Sequence, residues 1–320
     1  MKIPSPPIIA CLPWTEPNQW CFTGSEHANR IGVVSLPNLH SARRRVDFLR
    51  SVVKIRQRIN GAECLISWEL TTAIACAIAN RLLPSSTQPN WIALGIIDKS
   101  ITTIQRPIIK RIINSATAIS AFSTLDSQAI NTWLGRTDVC VSPTVWNPSA
   151  ELYPSDNNSW IAVGGSLRDD KTLALAASRV PVHIHRYCFS ERYKSPAMTW
   201  HLSEPPLSIE RAYYNHSMHA IVLQTDGCSA GLSSVVCGGF ASQCIVATDT
   251  QAIRQIITHG VSGLLVPLGD SVQFADAMRS VTEDRNLRAD LAKNLRQVCM
   301  ERHTYPSFVQ HVAALRGWPQ

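Results

Sequence analysis

The stretch that decides the fold is His259-Gly-Val-Ser-Gly-Leu-Leu-Val-Pro-Leu-Gly-Asp270. It contains a short apolar run, residues 263–266, that is bounded by a glycine and a proline and is typical of a buried strand. A segment with helical spacing follows at residues 271–281, and another strand ends upstream at Ala247-Thr-Asp249. The stretch therefore marks a strand-to-helix junction in an α/β protein.

The same alternation extends along all 320 residues. Candidate strands lie at residues 7–12, 30–35, 64–67, 91–97, 118–121, 139–142, 161–164, 182–186, 220–224, 244–247 and 263–266. Candidate helices lie at residues 42–59, 71–83, 105–115, 125–134, 171–178, 233–239, 251–258, 271–281 and 286–302. Such alternation predicts parallel sheets with helices on both faces. A proline-containing polar stretch interrupts it, and we predict domains at residues 1–148 and 160–300 joined by a linker at 149–159.

The excess of basic over acidic residues lies in the first half of the chain. Residues 1–150 carry 15 Lys and Arg against 8 Asp and Glu, whereas the remainder carries 15 of each. Much of the excess lies in one candidate helix, in Arg43, Arg44, Arg45, Arg50, Lys54, Arg56 and Arg58. A basic face of this kind attracts anionic lipid, phosphorylated substrates or nucleic acid. A helix face that is merely solvated explains the pattern equally well.

The spacing of the cysteines and the length of the apolar runs indicate the cellular compartment. No pair of the ten cysteines forms a C-x-x-C motif, and Cys64, Cys76 and Cys244 lie in apolar runs, where a free cysteine behaves as a buried hydrophobe. This pattern favours a reducing, cytoplasmic compartment. Early prolines do not suit a signal peptide, and no uncharged apolar stretch is long enough to span a bilayer. Any association with the inner membrane surface would be peripheral.

Two loops contain the residue types that bind phosphate. In Gly164-Gly-Ser-Leu-Arg168, Gly164 and Gly165 permit close approach of the backbone, and Arg168 and Lys171 can neutralise a diphosphate. Of the two cations, Arg168 is favoured because of its bidentate fork. The two aspartates between them leave open the alternative of a solvated turn.

The second loop is Ala230-Gly-Leu-Ser-Ser234, which leads into a candidate helix. Its backbone N–H groups lie at the positive end of the helix dipole and suit a phosphate. Ser233 or Ser234 can donate a hydroxyl to the ligand or can cap the helix.

These motifs, in this order, resemble the C-terminal domain of glycosyltransferases of family 4, the group 1 transferases. Gly260–Asp270 matches the family ending G-V-x-G-L-L-V-P-x-G-D, Ala247–Asp249 matches its A-T-D strand end, and residues 161–173 resemble its opening strand and R-D-x-x-T-L loop. The resemblance implies the α/β GT-B fold, in which two Rossmann-like domains face each other across a cleft. It also implies that a helix within residues 301–320 crosses back to the N-terminal domain.

The resemblance further implies transfer of a hexose, with retention, from a UDP- or GDP-linked nucleotide-sugar to a glycan or lipid-linked acceptor. Arg168, Lys171 and Asp226 are the implied catalytic residues. The implied donor-binding residues are Gly164, Gly165, Ser229, Ala230, Gly231, Ser233, Ser234 and Cys237. No Asp-x-Asp motif occurs, so no metal is expected, and the nucleotide-sugar is a co-substrate beside which no cofactor is expected.

The chain departs from the family at the usual pair of glutamates, whose positions are taken by Ser229 and Cys237. A thiol cannot accept two ribose hydroxyls as a carboxylate does, and Asp226 is a candidate replacement near the sugar. The alternative is a catalytically silent GT-B module that binds a ligand or partner. The Gly260–Asp270 ending disfavours a nucleotide-sugar epimerase. Nucleic-acid binding is also disfavoured, because attraction to a lipid surface already explains the basic residues in Arg43–Arg58.

The N-terminal half offers two acceptor-side candidates. His27 follows Thr23-Gly-Ser25, where the first glycine loop of the family approaches the donor, although a role at a helix start is an alternative. Glu69 directly follows a candidate strand and is a candidate acceptor contact, with a helix cap as its alternative.

Overall fold

A computed structural model describes residues 8–12, 31–36, 44–95, 105–146, 157–165, 167–191, 193, 195–204, 206–227 and 229–315. The described chain divides into two compact units. The first comprises the described residues up to Pro143 and those from Phe308 onward, and the second is Thr144–Ser307. Each contains one parallel sheet, so the predicted α/β class with two parallel sheets is confirmed. Residues 147–156, which include most of the predicted linker, lie outside the described residues.

The first unit is built on a six-stranded sheet in the order β2-β1-β3-β4-β5-β6. Its strands are β1 (Ile8–Leu12), β2 (Ile31–Ser35), β3 (Cys64–Trp68), β4 (Asn90–Leu94), β5 (Ala118–Ala121) and β6 (Cys140–Val141). Its helices are α1 (Arg44–Ile59), α2 (Leu70–Arg81), α3 (Arg106–Ile113) and α4 (Thr124–Leu134), with a short 3-10 helix at Ser85–Thr87. Aliphatic residues of α1 and α2 pack on β1, β3 and β4 because apolar residues recur at helical spacing in both helices.

Two contacts connect the end of the chain to this first unit. The last described helix of the chain is α10 (Tyr305–Leu315). The centroid of its Phe308 ring lies 6.0 Å from that of the Trp68 ring. The His311 Nε2 atom lies 3.3 Å from the Ser120 hydroxyl. The helix therefore packs on the first unit although the residues immediately before it belong to the second.

The second unit is built on another six-stranded sheet, in the order β12-β11-β10-β7-β8-β9. Its strands are β7 (Trp160–Val163), β8 (Ile184–Cys188), β9 (Met198–Leu202), β10 (Met218–Ile221), β11 (Cys244–Thr248) and β12 (Leu264–Val266). Its helices are α5 (Asp170–Ala177), α6 (Pro206–Asn215), α7 (Leu232–Phe240), α8 (Ser271–Glu283) and α9 (Arg285–Arg302), with a 3-10 helix at Ile253–Gln255.

The strand order reverses in the middle of this second sheet. The chain runs outward from β7 through β8 to β9, then returns to the other side of β7 and runs outward again from β10 through β11 to β12. The adjacent strands β7 and β10 therefore form the topological switch point. In open parallel sheets, ligands bind beyond the carboxyl ends of the strands at such a point.

The fold-deciding stretch has structural functions throughout. The Gly260 N–H donates to the Gly263 carbonyl at 2.8 Å, and the Leu265 N–H donates to His259 Nδ1 at 2.9 Å. Asp270 caps α8 by accepting from the N–H groups of Val272 and Gln273. The stretch closes a turn, delivers β12 to the sheet edge and starts α8. It fixes the fold and contributes no reactive group of its own.

Several sequence predictions need correction in the second unit. The strand β9 and the helix α6 were not predicted, because β9 has only one buried residue, Met198, and α6 begins at a Pro-Pro pair that suggests a loop. Residues 251–258 form only the short 3-10 helix at Ile253–Gln255. The strand predicted at 182–186 lies two residues later, and the one predicted at 220–224 begins two residues earlier.

The described cysteines are all free thiols. Cys64, Cys76 and Cys244 are buried, as predicted, and burial raises the pKa of the Cys76 thiol and that of Cys244, the latter to about 12. These thiols are therefore protonated packing groups. Across the described residues, no helix combines the length and the apolar character needed to cross a membrane.

Candidate functional site

Arg168 lies at the switch point and contacts β7, the residues just after β10, and α7. Its side chain is buried, and it follows the loop after β7. The Nε atom donates to the Val163 carbonyl at 3.0 Å, and Nη2 donates to the Ser234 hydroxyl at 2.9 Å. Its backbone forms an isolated antiparallel bridge with Leu223, just beyond β10. The structure thus brings together two residues that the sequence predicted for one site.

The paired glycines allow side chains to lie directly on the loop. A β-carbon on Gly164, whose φ is +113°, would lie 2.6 Å from Arg168 Nη2. A β-carbon on Gly165 would lie 2.9 Å from Cδ2 of Phe189. Any larger residue would displace the guanidinium or the ring. The two glycines therefore leave room for side chains of the protein itself, those of Arg168 and Phe189.

The two aspartates beside Arg168 have other partners. Asp169 caps α5, since its carboxylate accepts from the Thr172 N–H at 3.0 Å and from the Thr172 hydroxyl at 2.7 Å. Asp170 pairs with the buried Arg186, whose Nε lies 2.7 Å from Oδ1. The solvated-turn alternative does not hold for Arg168, because its side chain is buried. Lys171 is exposed in the first turn of α5.

The α7 terminus differs from the sequence expectation. Gly231 occupies the N-cap position with a φ of 89°, and the helix begins at Leu232 without a side-chain cap. The prediction that Ser233 or Ser234 caps the helix is therefore wrong. Ser233 is exposed, whereas Ser234 is buried and accepts from Arg168. The serine hydroxyl is used to fix the guanidinium at the positive end of the α7 dipole.

Buried groups around this contact experience its positive charge. Burial lowers the pKa of His219 well below its usual range, and the charges of Arg168 and Arg186 lower it further. The imidazole is consequently neutral at physiological pH. Burial raises the pKa of Tyr213, whose hydrogen bond with Ser234 and proximity to both arginines oppose the rise. The Arg168 side chain thus adds positive charge at the switch point, whereas Arg186 is paired with Asp170.

The remaining predicted residues of the second unit lie around this centre in different environments. Ser229 and Ala230 are half-buried in the loop before α7. The Asp226 carboxylate accepts from the Gln251 N–H at 2.6 Å, so it holds the segment after β11. Cys237 is only 2% exposed. The position expected to bind ribose therefore carries a small thiol inside the unit.

In the first unit, Glu69 has a distinctive backbone. Its φ of 67° and ψ of 161° fall in a region that is nearly exclusive to glycine, at a cost of about 1–3 kcal/mol. It is the N-cap residue of α2 without a side-chain cap bond, and its N–H donates to the Leu94 carbonyl at 3.0 Å. Such strain presents the exposed side chain at the carboxyl edge of the sheet. Its role toward an acceptor stays a prediction, and His27 lies outside the described residues.

Sequence reasoning did not identify Arg186 or Phe189. Both lie in or just after β8, which was placed two residues too early. The signal that could have found Arg186 is a lone arginine inside an otherwise strand-like run. Within the described ranges, no group of three or more His, Cys, Asp or Glu residues could hold a metal ion.

We predict that Ser234→Ala lowers the free energy of unfolding by about 1–3 kcal/mol, because one N–H of the buried guanidinium loses its acceptor. The matched control is Ser233→Ala, whose exposed side chain should change this free energy by less than about 0.5 kcal/mol. Urea unfolding monitored by circular dichroism measures both. Equal effects of the two variants would contradict the assigned role of Ser234.

Comparison with known proteins supports the fold assignment independently. The family model described as "Glycosyl transferases group 1" matches residues 240–298. No curated protein matches the sequence. These 59 matched positions begin at the end of α7 and contain the fold-deciding stretch.

Solved structures resemble the chain over a longer span. HepE from Anabaena, in complex with UDP and glucose, is 13% identical with a TM-score of 0.71, covering 97% of this chain and 99% of that one. Sucrose-phosphate synthase from Thermosynechococcus elongatus is 13% identical with a TM-score of 0.71, covering 97% and 88%. TarM from S. aureus is 12% identical with a TM-score of 0.61, covering 84% and 58%. The predicted resemblance is confirmed: the chain has the GT-B glycosyltransferase fold and carries a match to the group 1 family in residues 240–298.

Proposed function

We propose that the chain is a glycosyltransferase that takes a sugar from a nucleotide-sugar and binds the donor diphosphate at the switch point of the second unit. The observation that carries this proposal is the contact of Arg168 with Ser234, which fixes a buried cation between the loop after β7 and the start of α7. A guanidinium and a helix N-terminus together suit a diphosphate.

The named neighbours support a UDP-linked donor. HepE has been crystallised with UDP and with UDP-glucose, and TarM with UDP, α-GlcNAc-glycerol and fondaparinux. A GDP-linked donor stays compatible with the residues that we assign, because they address phosphate and not the base. The acceptor class that these complexes favour is a glycan, and a lipid-linked glycan is the alternative.

Catalysis in this proposal is electrostatic. The bond between the anomeric carbon and the β-phosphate oxygen breaks, a bond from the acceptor oxygen to that carbon forms, and the acceptor hydroxyl passes its proton to the departing diphosphate. Arg168 and the α7 dipole stabilise the negative charge that develops on the departing diphosphate. Because Ser234 and the Val163 carbonyl already hold the guanidinium, little reorganisation is needed during reaction. Lys171, in the first turn of α5, supplies a second, exposed charge, and retention of configuration is the family expectation.

A silent binding module is the second candidate function. It is favoured by one observation, that the two positions expected to carry glutamates hold Ser229 and a Cys237 that is 2% exposed. The remaining candidate for a carboxylate near the sugar is Asp226, which already accepts a hydrogen bond from the Gln251 N–H. Binding without turnover would follow if Asp226 cannot serve both purposes.

We predict that the purified protein is stabilised thermally by UDP-sugars and slowly releases UDP from at least one of them. Arg168→Ala should weaken UDP binding by about 10- to 100-fold, as expected for loss of hydrogen bonds to a charged group. Lys171→Ala, in the first turn of α5, is the comparison variant and should lose less, because its charge is exposed to solvent.

Two outcomes would contradict parts of this account. Stabilisation without any release, even by slow hydrolysis, would favour the silent module. Unchanged UDP binding by a folded Arg168→Ala variant would remove the assigned site under both candidate functions. Circular dichroism of each variant shows that loss of binding is not loss of folding.

We further propose that α1 associates with anionic membrane surfaces. Its outer face exposes Val46, Leu49 and Val53 by 51%, 65% and 55%, and these positions share one helical stripe. Arg50 and Lys54 lie along the same stripe. An apolar stripe flanked by cations is typical of helices that lie in a bilayer interface. Arg43 and the side chains of Arg44 and Arg45 lie outside the described structure.

We predict that the protein sediments with phosphatidylserine-containing vesicles and that binding falls as salt rises from about 0.05 to 0.5 M, because screening weakens surface attraction. The double variant Arg50→Gln with Lys54→Gln should lose most of this salt-dependent binding, and Leu49→Ser should weaken binding at both salt concentrations. Equal sedimentation with neutral and anionic vesicles would contradict the electrostatic part of the proposal.

A further inference from the structure

We propose that Phe189 is the stacking platform for the nucleobase of the donor. This inference rests on the proposed function and adds the group that holds the nucleoside half of the ligand. Phe189 follows β8, the strand beside β7, so it lies at the same carboxyl edge as the loop that bears Arg168.

Phe189 combines an exposed ring with a fixed backbone. Its side chain is 80% exposed, the highest exposure among the described large hydrophobic residues. The residues before it are nevertheless tied to both neighbouring strands. The Gly164 N–H donates to the Tyr187 carbonyl at 3.1 Å, and the Ser203 N–H donates to the Cys188 carbonyl at 2.9 Å. The backbone that leads into Phe189 is therefore anchored to the sheet, and its ring is open to a flat ligand.

The ring and the guanidinium lie on consecutive glycines. Arg168 Nη2 covers the position that a β-carbon of Gly164 would take, and the Phe189 ring covers that of Gly165. The strands β7 and β8 are separated by about 4.8 Å, the usual spacing in a sheet. A nucleotide whose diphosphate is bound by Arg168 would therefore have Phe189 within reach of its nucleoside, at the end of β8.

The replacement at Cys237 supplies the reason why such a platform is needed. The thiol is 2% exposed and cannot accept two ribose hydroxyls as a carboxylate does. An aromatic contact with the base would supply affinity for the nucleoside that does not depend on the ribose hydroxyls. Stacking on an aromatic ring is suited to this purpose because every base has a π-face.

The chemistry of stacking also defines what the site selects. A phenyl ring offers no hydrogen bond to the edge of a base, so Phe189 raises affinity for nucleosides in general without distinguishing one base from another. The platform therefore implies that this chain binds both UDP and GDP, unlike a site that selects one base through hydrogen bonds to its edge.

The test compares UDP with inorganic pyrophosphate, which lacks the nucleoside, by isothermal titration calorimetry of the full chain. Phe189→Ala should weaken UDP binding by about 5- to 100-fold, the range expected for loss of one base–aromatic stack, and should leave pyrophosphate binding unchanged. Phe189→Tyr is the matched control and should retain UDP binding. Because the ring is exposed, neither substitution removes core packing.

The outcomes separate this inference from the proposed function. UDP binding that is equal in wild type and Phe189→Ala would overturn the platform and leave the diphosphate site intact. An equal loss for UDP and pyrophosphate would also overturn it, because Phe189 would then support the loop and not the base. A wild-type protein that binds neither UDP nor pyrophosphate would overturn the proposed function itself.

Discussion

The hydrogen bond from Arg168 Nη2 to the Ser234 hydroxyl is the constraint on which the candidate site depends. It joins residues that are 66 positions apart and ties the loop after β7 to the helix after β10, across the point where the strand order reverses. A buried guanidinium is costly unless its N–H groups are satisfied. The requirement explains why Gly164 leaves room for the guanidinium and why the Ser234 hydroxyl is turned inward to accept from it. The fold thus delivers a fixed positive charge to the edge where a parallel sheet binds ligands.

The proposed donor site has a phosphate half and a nucleoside half that differ in the residues they offer. The phosphate half retains an arginine, paired glycines and a helix N-terminus in one place. The nucleoside half has a buried thiol at Cys237, where the family resemblance implies a carboxylate, and the exposed ring of Phe189, which we propose as the platform for the base. A donor site of this kind obtains affinity from charge and stacking more than from ribose recognition. Binding and turnover can therefore separate in this chain.

Local patterns were sufficient for the parts of the molecule whose structure is determined locally. The stretch His259–Asp270 predicts a turn, a short strand and a helix start because each of these depends on neighbouring residues, and the structure contains all three. The same kind of pattern failed for β9 and α6, since half-buried strand residues and a Pro-Pro start resemble a loop. The sequence predicted only that Arg168 and Ser234 belong to the same site. Their direct hydrogen bond, the glycine N-cap at Gly231 and the position of Phe189 depend on packing between distant segments, which spacing along the chain does not encode.

A crystal structure of the protein with bound UDP would test the central claim most directly. We expect β-phosphate oxygens within about 3 Å of the Arg168 guanidinium, the distance of a charge-assisted hydrogen bond, beside the first turn of α7. A UDP molecule whose diphosphate lies away from Arg168, with the Arg168–Ser234 contact unchanged, would contradict it.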